Sequence, residues 1–139
     1  MLLRKKILII SSTFYPEISN YLQDGVFNVL KSENIDFELK SINGSLEIPF
    51  FLEKYKKQYL GYIIIGCIIK GETDHYEVVK NITLPHIYKV AYENILPLSS
   101  ALLTVENYSQ ALERSDIKKK NLGGLAAKTC LNLIKKINE

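Results

Sequence analysis

The segment Gly66-Cys-Ile-Ile-Lys-Gly-Glu-Thr-Asp-His75 places a basic side chain, a glycine, a small hydroxyl and one of the chain's two histidines in close succession. That combination suits the binding of an anion beside a proton-transfer group. Exposed turn amides and a helix N-terminus attract negative charge, and an imidazole titrates near neutrality. The run Gly61 to Ile69 that leads into it is almost wholly apolar, as a strand buried on both faces of a parallel sheet requires. Open α/β sheets place ligands at the carboxyl ends of their strands, so this strand delivers His75 to a site. By position alone His75 fits a capping or surface residue in a first helical turn as well as it fits an acid-base group. His86 has no comparable context and is expected to be structural or exposed.

The surrounding elements alternate. Ile7 to Ser12 reads as a buried strand, and Pro16 opens a helix whose inward stripe is Ile18, Leu22, Val26, Val29 and Leu30. Phe37 to Ile42 reads as a second strand and Glu47 to Lys57 as a helix with Pro49 in its first turn. After the Gly61 to Ile69 strand, Asp74 is placed to cap a helix with Val78, Ile82 and Val90 on one face and a kink at Pro85. Leu98 to Thr104 is the fourth strand. Helices over Glu106 to Arg114 and roughly Gly124 to Ile137 close the chain, the latter with Ala127, Cys130, Leu133, Ile134 and Ile137 on one side. Four strands alternating with helices predict an α/β fold, a flavodoxin-like three-layer αβα sandwich with a four-stranded parallel sheet. The loops holding Phe14, Ser45 to Glu47 and Gly71 to His75 then emerge at one edge.

Composition bounds the function classes. At 139 residues, 47% hydrophobic and 24% charged, with no linker, low-complexity tract or repeat, residues 1–139 read as a single soluble domain. The net charge of +3 is mild, and the basic run Lys118 to Lys120 lies near Glu113 and Asp116, which reads as a solvated turn and argues against a nucleic-acid role. Cys67 sits in an apolar strand and Cys130 in an apolar helical stripe, so both are expected to be buried free thiols in a reducing cytoplasm. One well-placed histidine and two buried cysteines make no metal cluster. The N-terminus lacks the order of a signal peptide, and no apolar run reaches the roughly 18 residues of a membrane span.

The motifs themselves resemble those of the lumazine synthase family, in which glycine, two or three apolar residues, Arg or Lys, Gly, any residue, Thr, any residue and His follow in order. Asn43-Gly-Ser-Leu-Glu-Ile-Pro49 is similar to the family's substrate loop, and Leu103 to Arg114 with Asn121 and Gly123 is similar to its phosphate-binding segment. The resemblance runs from Phe14 to Gly124. It implies condensation of 5-amino-6-(D-ribitylamino)uracil with 3,4-dihydroxy-2-butanone 4-phosphate to give 6,7-dimethyl-8-ribityllumazine, phosphate and water, the penultimate step of riboflavin biosynthesis, with no cofactor.

It further implies roles. His75 would shuttle protons through imine formation, phosphate elimination and ring closure. Arg114 would hold the phosphate in a neighbour's site, with Gly71, Glu72 and Thr73 meeting the same anion; without the resemblance, Arg114 reads equally as a surface cation at a helix C-terminus and Gly71 as a turn glycine. Phe14 would stack on the pyrimidine, although an aromatic near a strand end also suits a core. Ser45, Leu46 and Glu47 would receive the ribityl chain and the ring's polar edge, Glu47 otherwise being an acidic group at a helix start, and Ile68 and Ile69 would touch the heterocycle through their backbone. Three residues depart from the family's usual pattern: Tyr15 stands where Asn is frequent, Ser100 where an aromatic walls the neighbouring site, and Leu122 where a lysine is frequent; Lys70 keeps the charge of an Arg.

The family forms pentamers with sites at subunit interfaces, some building sixty-subunit shells. Six residues precede the first strand, which favours a pentamer, while the Arg114 to Asn121 spacing matches shell-formers. Riboflavin synthase is a candidate partner, and a membrane partner is not expected. A rival reading, prompted by Ser100 and Leu122, is a catalytically weak pentameric relative that binds flavin or lumazine. A flavodoxin-like nucleotide or signalling module would need a glycine in Ser12-Thr13-Phe14-Tyr15-Pro16 to admit a phosphate, and there is none.

Overall fold

The computed structural model describes residues 5–71 and 75–139, with His75 described by its backbone. Four strands, β1 (Ile7–Ser12), β2 (Phe37–Ile42), β3 (Gly61–Ile69) and β4 (Leu98–Val105), form one sheet in the order β2-β1-β3-β4. Every pairing is parallel, with Ile7 opposite both Phe37 and Gly61, and Tyr62 opposite Leu98. β1 and β3 are buried along their whole length, which is why Ile7 to Ile10 and Gly61 to Ile69 are continuous apolar runs and not alternating ones.

Helices cover both faces. α1 (Pro16–Ser32), α5 (Tyr108–Ser115) and α6 (Leu122–Ile137) pack Ile18, Leu22, Val26, Leu30, Ala111, Ala127 and Cys130 against Ile7, Ile9, Ile63 and Ile65. On the opposite face α2 (Ile48–Tyr55) and α4 (Leu84–Asn94) set Ile48, Leu52, Ile87, Val90 and Ala91 against Leu8, Ile10, Ile64 and Leu98. The expected three-layer α/β sandwich is therefore the observed one.

Local chemistry explains the boundary shifts. The helix expected from Glu106 begins at Tyr108, because the Asn107 side chain accepts from the Gln110 amide at 2.8 Å while the Glu106 amide donates to Gln110 Oε1 at 2.8 Å. The last helix begins at Leu122, two residues before the expected Gly124, with Asn121 in the left-handed region (φ 47°) accepting from the Gly124 amide at 3.1 Å. Ser45–Glu47 is a 3-10 turn that runs into α2 at Ile48. Lys118 to Lys120 lie exposed in a turn organised by Asp116, as read from the sequence.

One expected face is wrong. Val78 and Ile82 are exposed, and the buried positions are Val79, Ile87 and Val90. A short helix α3 (His75–Val78) passes into a π-helical turn over Val79–Thr83 before α4. The wider turn inserts extra backbone just ahead of Pro85 and rotates the apolar face out of the 3.6-residue register assumed for a regular helix. The capping role expected of Asp74 lies outside the described residues.

α1 and α6 cross so closely that side chains are excluded from the contact. A Cβ on Gly123 would lie 2.2 Å from the Leu22 carbonyl oxygen, and one on Gly25 would lie 2.4 Å from Asn121 Oδ1. Gly123→Ala should therefore destabilise the fold by about 1–3 kcal/mol, as overpacking against rigid backbone does. Urea unfolding checks this, and an unchanged midpoint would contradict so close a crossing.

Cys67 and Cys130 are both buried and free, and burial pushes each thiol from 9.0 up to about 12. The folded state thus holds the neutral thiol more tightly than the unfolded chain does. The resulting stability is complete below pH 9 and lost as the pH rises toward 12. The urea midpoint should fall through that window, and a thiol reagent should label neither cysteine in the native protein but both in denaturant. Rapid labelling of the native protein would contradict the burial.

Candidate active site

The sheet's order reverses between β1 and β3, since the chain leaves β1 toward β2 on one side and later returns to β3 on the other. Adjacent loops part at such a switch point and leave a crevice beyond the carboxyl ends of the strands. Gln23 Nε2 donates to Ser11 Oγ at 2.8 Å, fixing α1 over β1. Thr13 ties the loop after β1 to the end of β2, its amide and its hydroxyl both reaching the Ile42 carbonyl at 2.9 and 3.2 Å. The Lys70 amide donates to the Val105 carbonyl at 2.9 Å, so β3 keeps its course until Gly71 turns the chain with φ +81°.

These constraints open a cleft of about 470 Å³, its mouth included, lined by Phe14, Tyr15, Gly44, Ser45, Leu46, Glu47, Cys67, Ile68, Ile69 and Val79. Phe14 is 53% exposed; it is not the core aromatic that its position at a strand end also allowed. Ser45 is buried, Leu46 half-buried and Glu47 exposed. The Glu47 carboxylate folds back over Gly44, 3.3 Å from where a Cβ would stand there. Gly66 lies behind the Ser45 loop. A Cβ on it would meet Leu102 Cδ1 at 2.6 Å, Ser45 Oγ at 3.0 Å and Ser12 Cβ at 3.2 Å, so only glycine lets the Ser45 loop lie down against β3. The neutral Cys67 thiol adds an apolar patch to the wall.

The cleft can accept a flat, largely apolar body against Phe14, with polar edges reaching Ser45 and Glu47. At its β3 side the chain passes Gly71 and resumes as α3 at His75. Glu72 and Thr73, expected at an anion, lie outside the described residues.

Gly71, Ser100 and Arg114, expected at the site, are not among the residues that line this cleft. Ser100 is on β4, the far edge of the sheet, where the Leu102 amide donates to its hydroxyl at 3.1 Å; it lines a separate hollow with Tyr88, Leu98, Leu122 and Leu125. Arg114 is in the last turn of α5, half-buried and without an ion pair among the described residues. Among the described residues, those the sequence did not mark as cleft walls are Tyr15, Gly44, Cys67 and Val79. Tyr15 adjoined Phe14 after a strand and could have been read as a wall. Val79 could not, because the π-helical turn that aims it inward leaves no periodic signal.

The model of the family described as 6,7-dimethyl-8-ribityllumazine synthase matches residues 4–138. Proteins bearing that name are similar over nearly the whole chain. The one from Bartonella tribocorum is 37% identical over 95% of this chain and 91% of its own length. That from Novosphingobium aromaticivorans is 37% identical over 93% and 94%, and that from Paramagnetospirillum magneticum 35% identical over 93% and 92%. No helix among the described residues is long and apolar enough to cross a membrane. With its parallel αβα sandwich, its cleft at the sheet's switch point and a match from end to end, the chain belongs to the 6,7-dimethyl-8-ribityllumazine synthase family.

Proposed function

We propose that this protein is a lumazine synthase, a transferase that condenses 5-amino-6-(D-ribitylamino)uracil with 3,4-dihydroxy-2-butanone 4-phosphate in riboflavin biosynthesis. The observation that carries the reading is the clustering of Phe14, Ser45, Leu46, Glu47, Ile68 and Ile69 around one cleft. These residues come from three separate loops and strand ends. Phe14 stacks on the pyrimidine, Ile68 and Ile69 meet its edge through their backbone, and Ser45, Leu46 and Glu47 receive the ribityl chain. Gly71, Glu72 and Thr73 cradle the phosphate of the second substrate.

The reaction joins the amine to the ketone with loss of water, expels phosphate by breaking its C–O bond, and closes the ring with loss of a second water. Each step moves a proton, and His75 serves as the carrier. Holding both substrates in one cleft supplies the rest through proximity. No step calls for a redox cofactor or a metal.

The working unit in this reading is one domain over residues 1–139, assembled as a homopentamer or a multiple of it in the cytoplasm, with riboflavin synthase, the consumer of the product, as a candidate contact. Arg114 reaches the phosphate of a neighbouring subunit's site, and Ser100 lies along the same boundary. Support comes from their placement: neither lines its own chain's cleft, and Arg114 has no ion pair among the described residues.

His75→Ala should lower turnover by roughly 100- to 10,000-fold while leaving the Michaelis constants little changed. Unchanged turnover would remove His75 from the mechanism. Arg114→Ala should raise the Michaelis constant for the sugar phosphate by about 10- to 150-fold, the value of a charge-assisted hydrogen bond of about 1.5–3 kcal/mol, and affect the pyrimidine less. Co-expressed Arg114→Ala and His75→Ala chains should recover part of the activity, because some sites in a mixed ring hold both wild-type residues. Mixed rings of confirmed composition with no recovery would defeat the shared site.

A further inference from the structure

Phe14 has more than half its surface open, so the core does not fix the plane of its ring. Tyr15 packs against it. The two rings meet edge to face, centroids 4.9 Å apart and planes at 80°. Tyr15 in turn packs on the core formed by α1, α5 and α6 and meets Tyr108 at 6.3 Å and 62°. Tyr108 opens α5, and its hydroxyl donates to Glu17 Oε1, in the first turn of α1, at 2.6 Å. Acceptance by Glu17 holds the Tyr108 phenol up at about 12, so the bond keeps its donor throughout the neutral range. The result is a ladder of three rings, anchored at one end by a bond between two helix starts and ending at the other in the cleft.

We propose that Tyr15, braced by Tyr108 and Glu17, is a positioning residue that sets the plane of the Phe14 ring and thereby the affinity for the planar heterocyclic substrate. An edge-to-face pair is held by the positive edge of one ring against the negative face of the other, so Phe14 cannot turn without losing it. The brace acts only on the ligand that stacks on Phe14. The sugar phosphate, a small acyclic anion, gains nothing from it. This inference rests on the condensation proposed above, and it gives Tyr15 a use for its ring that a side-chain amide at that position could not supply.

The test is steady-state kinetics of the assembled protein with each substrate varied in turn. Tyr15→Leu should raise the Michaelis constant for the pyrimidine amine by about 2- to 12-fold, the range an aromatic pair provides, with turnover and the constant for the sugar phosphate held. Tyr15→Phe should restore most of the loss, since it keeps the ring. Tyr108→Phe, a change at a partly exposed position that removes the Glu17 bond, should move the same constant in the same direction by less. If Tyr15→Leu fails to fold, Tyr108→Phe decides. A pyrimidine constant unchanged in both variants overturns the proposal, as does an equal rise for both substrates, which marks a general loss of structure. Wild-type protein that makes no lumazine defeats the condensation reading and this inference with it; wild-type turnover with unmoved variants defeats the inference alone.

Discussion

Strands β1 and β3 share a parallel ladder from Ile7 opposite Gly61 to Ser11 opposite Ile65, buried on both faces, and that pairing determines where every loop can go. Because the strands are parallel, each chain connection must cross a face as a helix, and the loops that leave the strands' carboxyl ends gather at one edge. Because the pair is central and its neighbours diverge, a crevice opens there. The Phe14 loop, the Ser45 loop and the turn at Gly71 are far apart in the sequence. The sheet brings them together.

What the sequence made legible follows from the same constraint. A strand buried on both faces exposes no position that would impose an alternating pattern, so Ile7–Ser12 and Gly61–Ile69 could be delimited to the residue. Side-chain caps cost more accuracy: Asn107 and Asn121 start their helices at places a periodic pattern does not mark. The π-helical turn at Val79–Thr83 was illegible, since a widened turn leaves the composition unaltered while rotating the apolar face from Val78 and Ile82 to Val79, Ile87 and Val90. Tyr15 was read from the sequence only as a departure from a pattern. Its contacts with Phe14 and Tyr108 depend on α1 and α5 starting side by side, a tertiary fact.

The candidate site divides along the same lines. Residues set by the central strands, Phe14, Ser45 to Glu47, Ile68 and Ile69, converge within one chain. Residues set by the sheet's far edge and its covering helix, Ser100 and Arg114, do not line that cleft. A reaction that needs a cation on the departing phosphate is best served by bringing a second copy's α5 against the cleft, which makes assembly part of the proposed chemistry. The Ser100 hydroxyl accepts from the Leu102 amide of its own strand. The ring ladder ending in Phe14 places aromatic surface on the cleft's own side.

The most direct measurement mixes the purified protein with the ribitylaminouracil and the dihydroxybutanone phosphate and follows the lumazine by absorbance and fluorescence, with inorganic phosphate assayed alongside. Lumazine should form well above the rate of the protein-free mixture, only when both substrates are present, with one phosphate released per lumazine. Lumazine formed no faster than without protein, or phosphate released without lumazine, would contradict the proposed condensation.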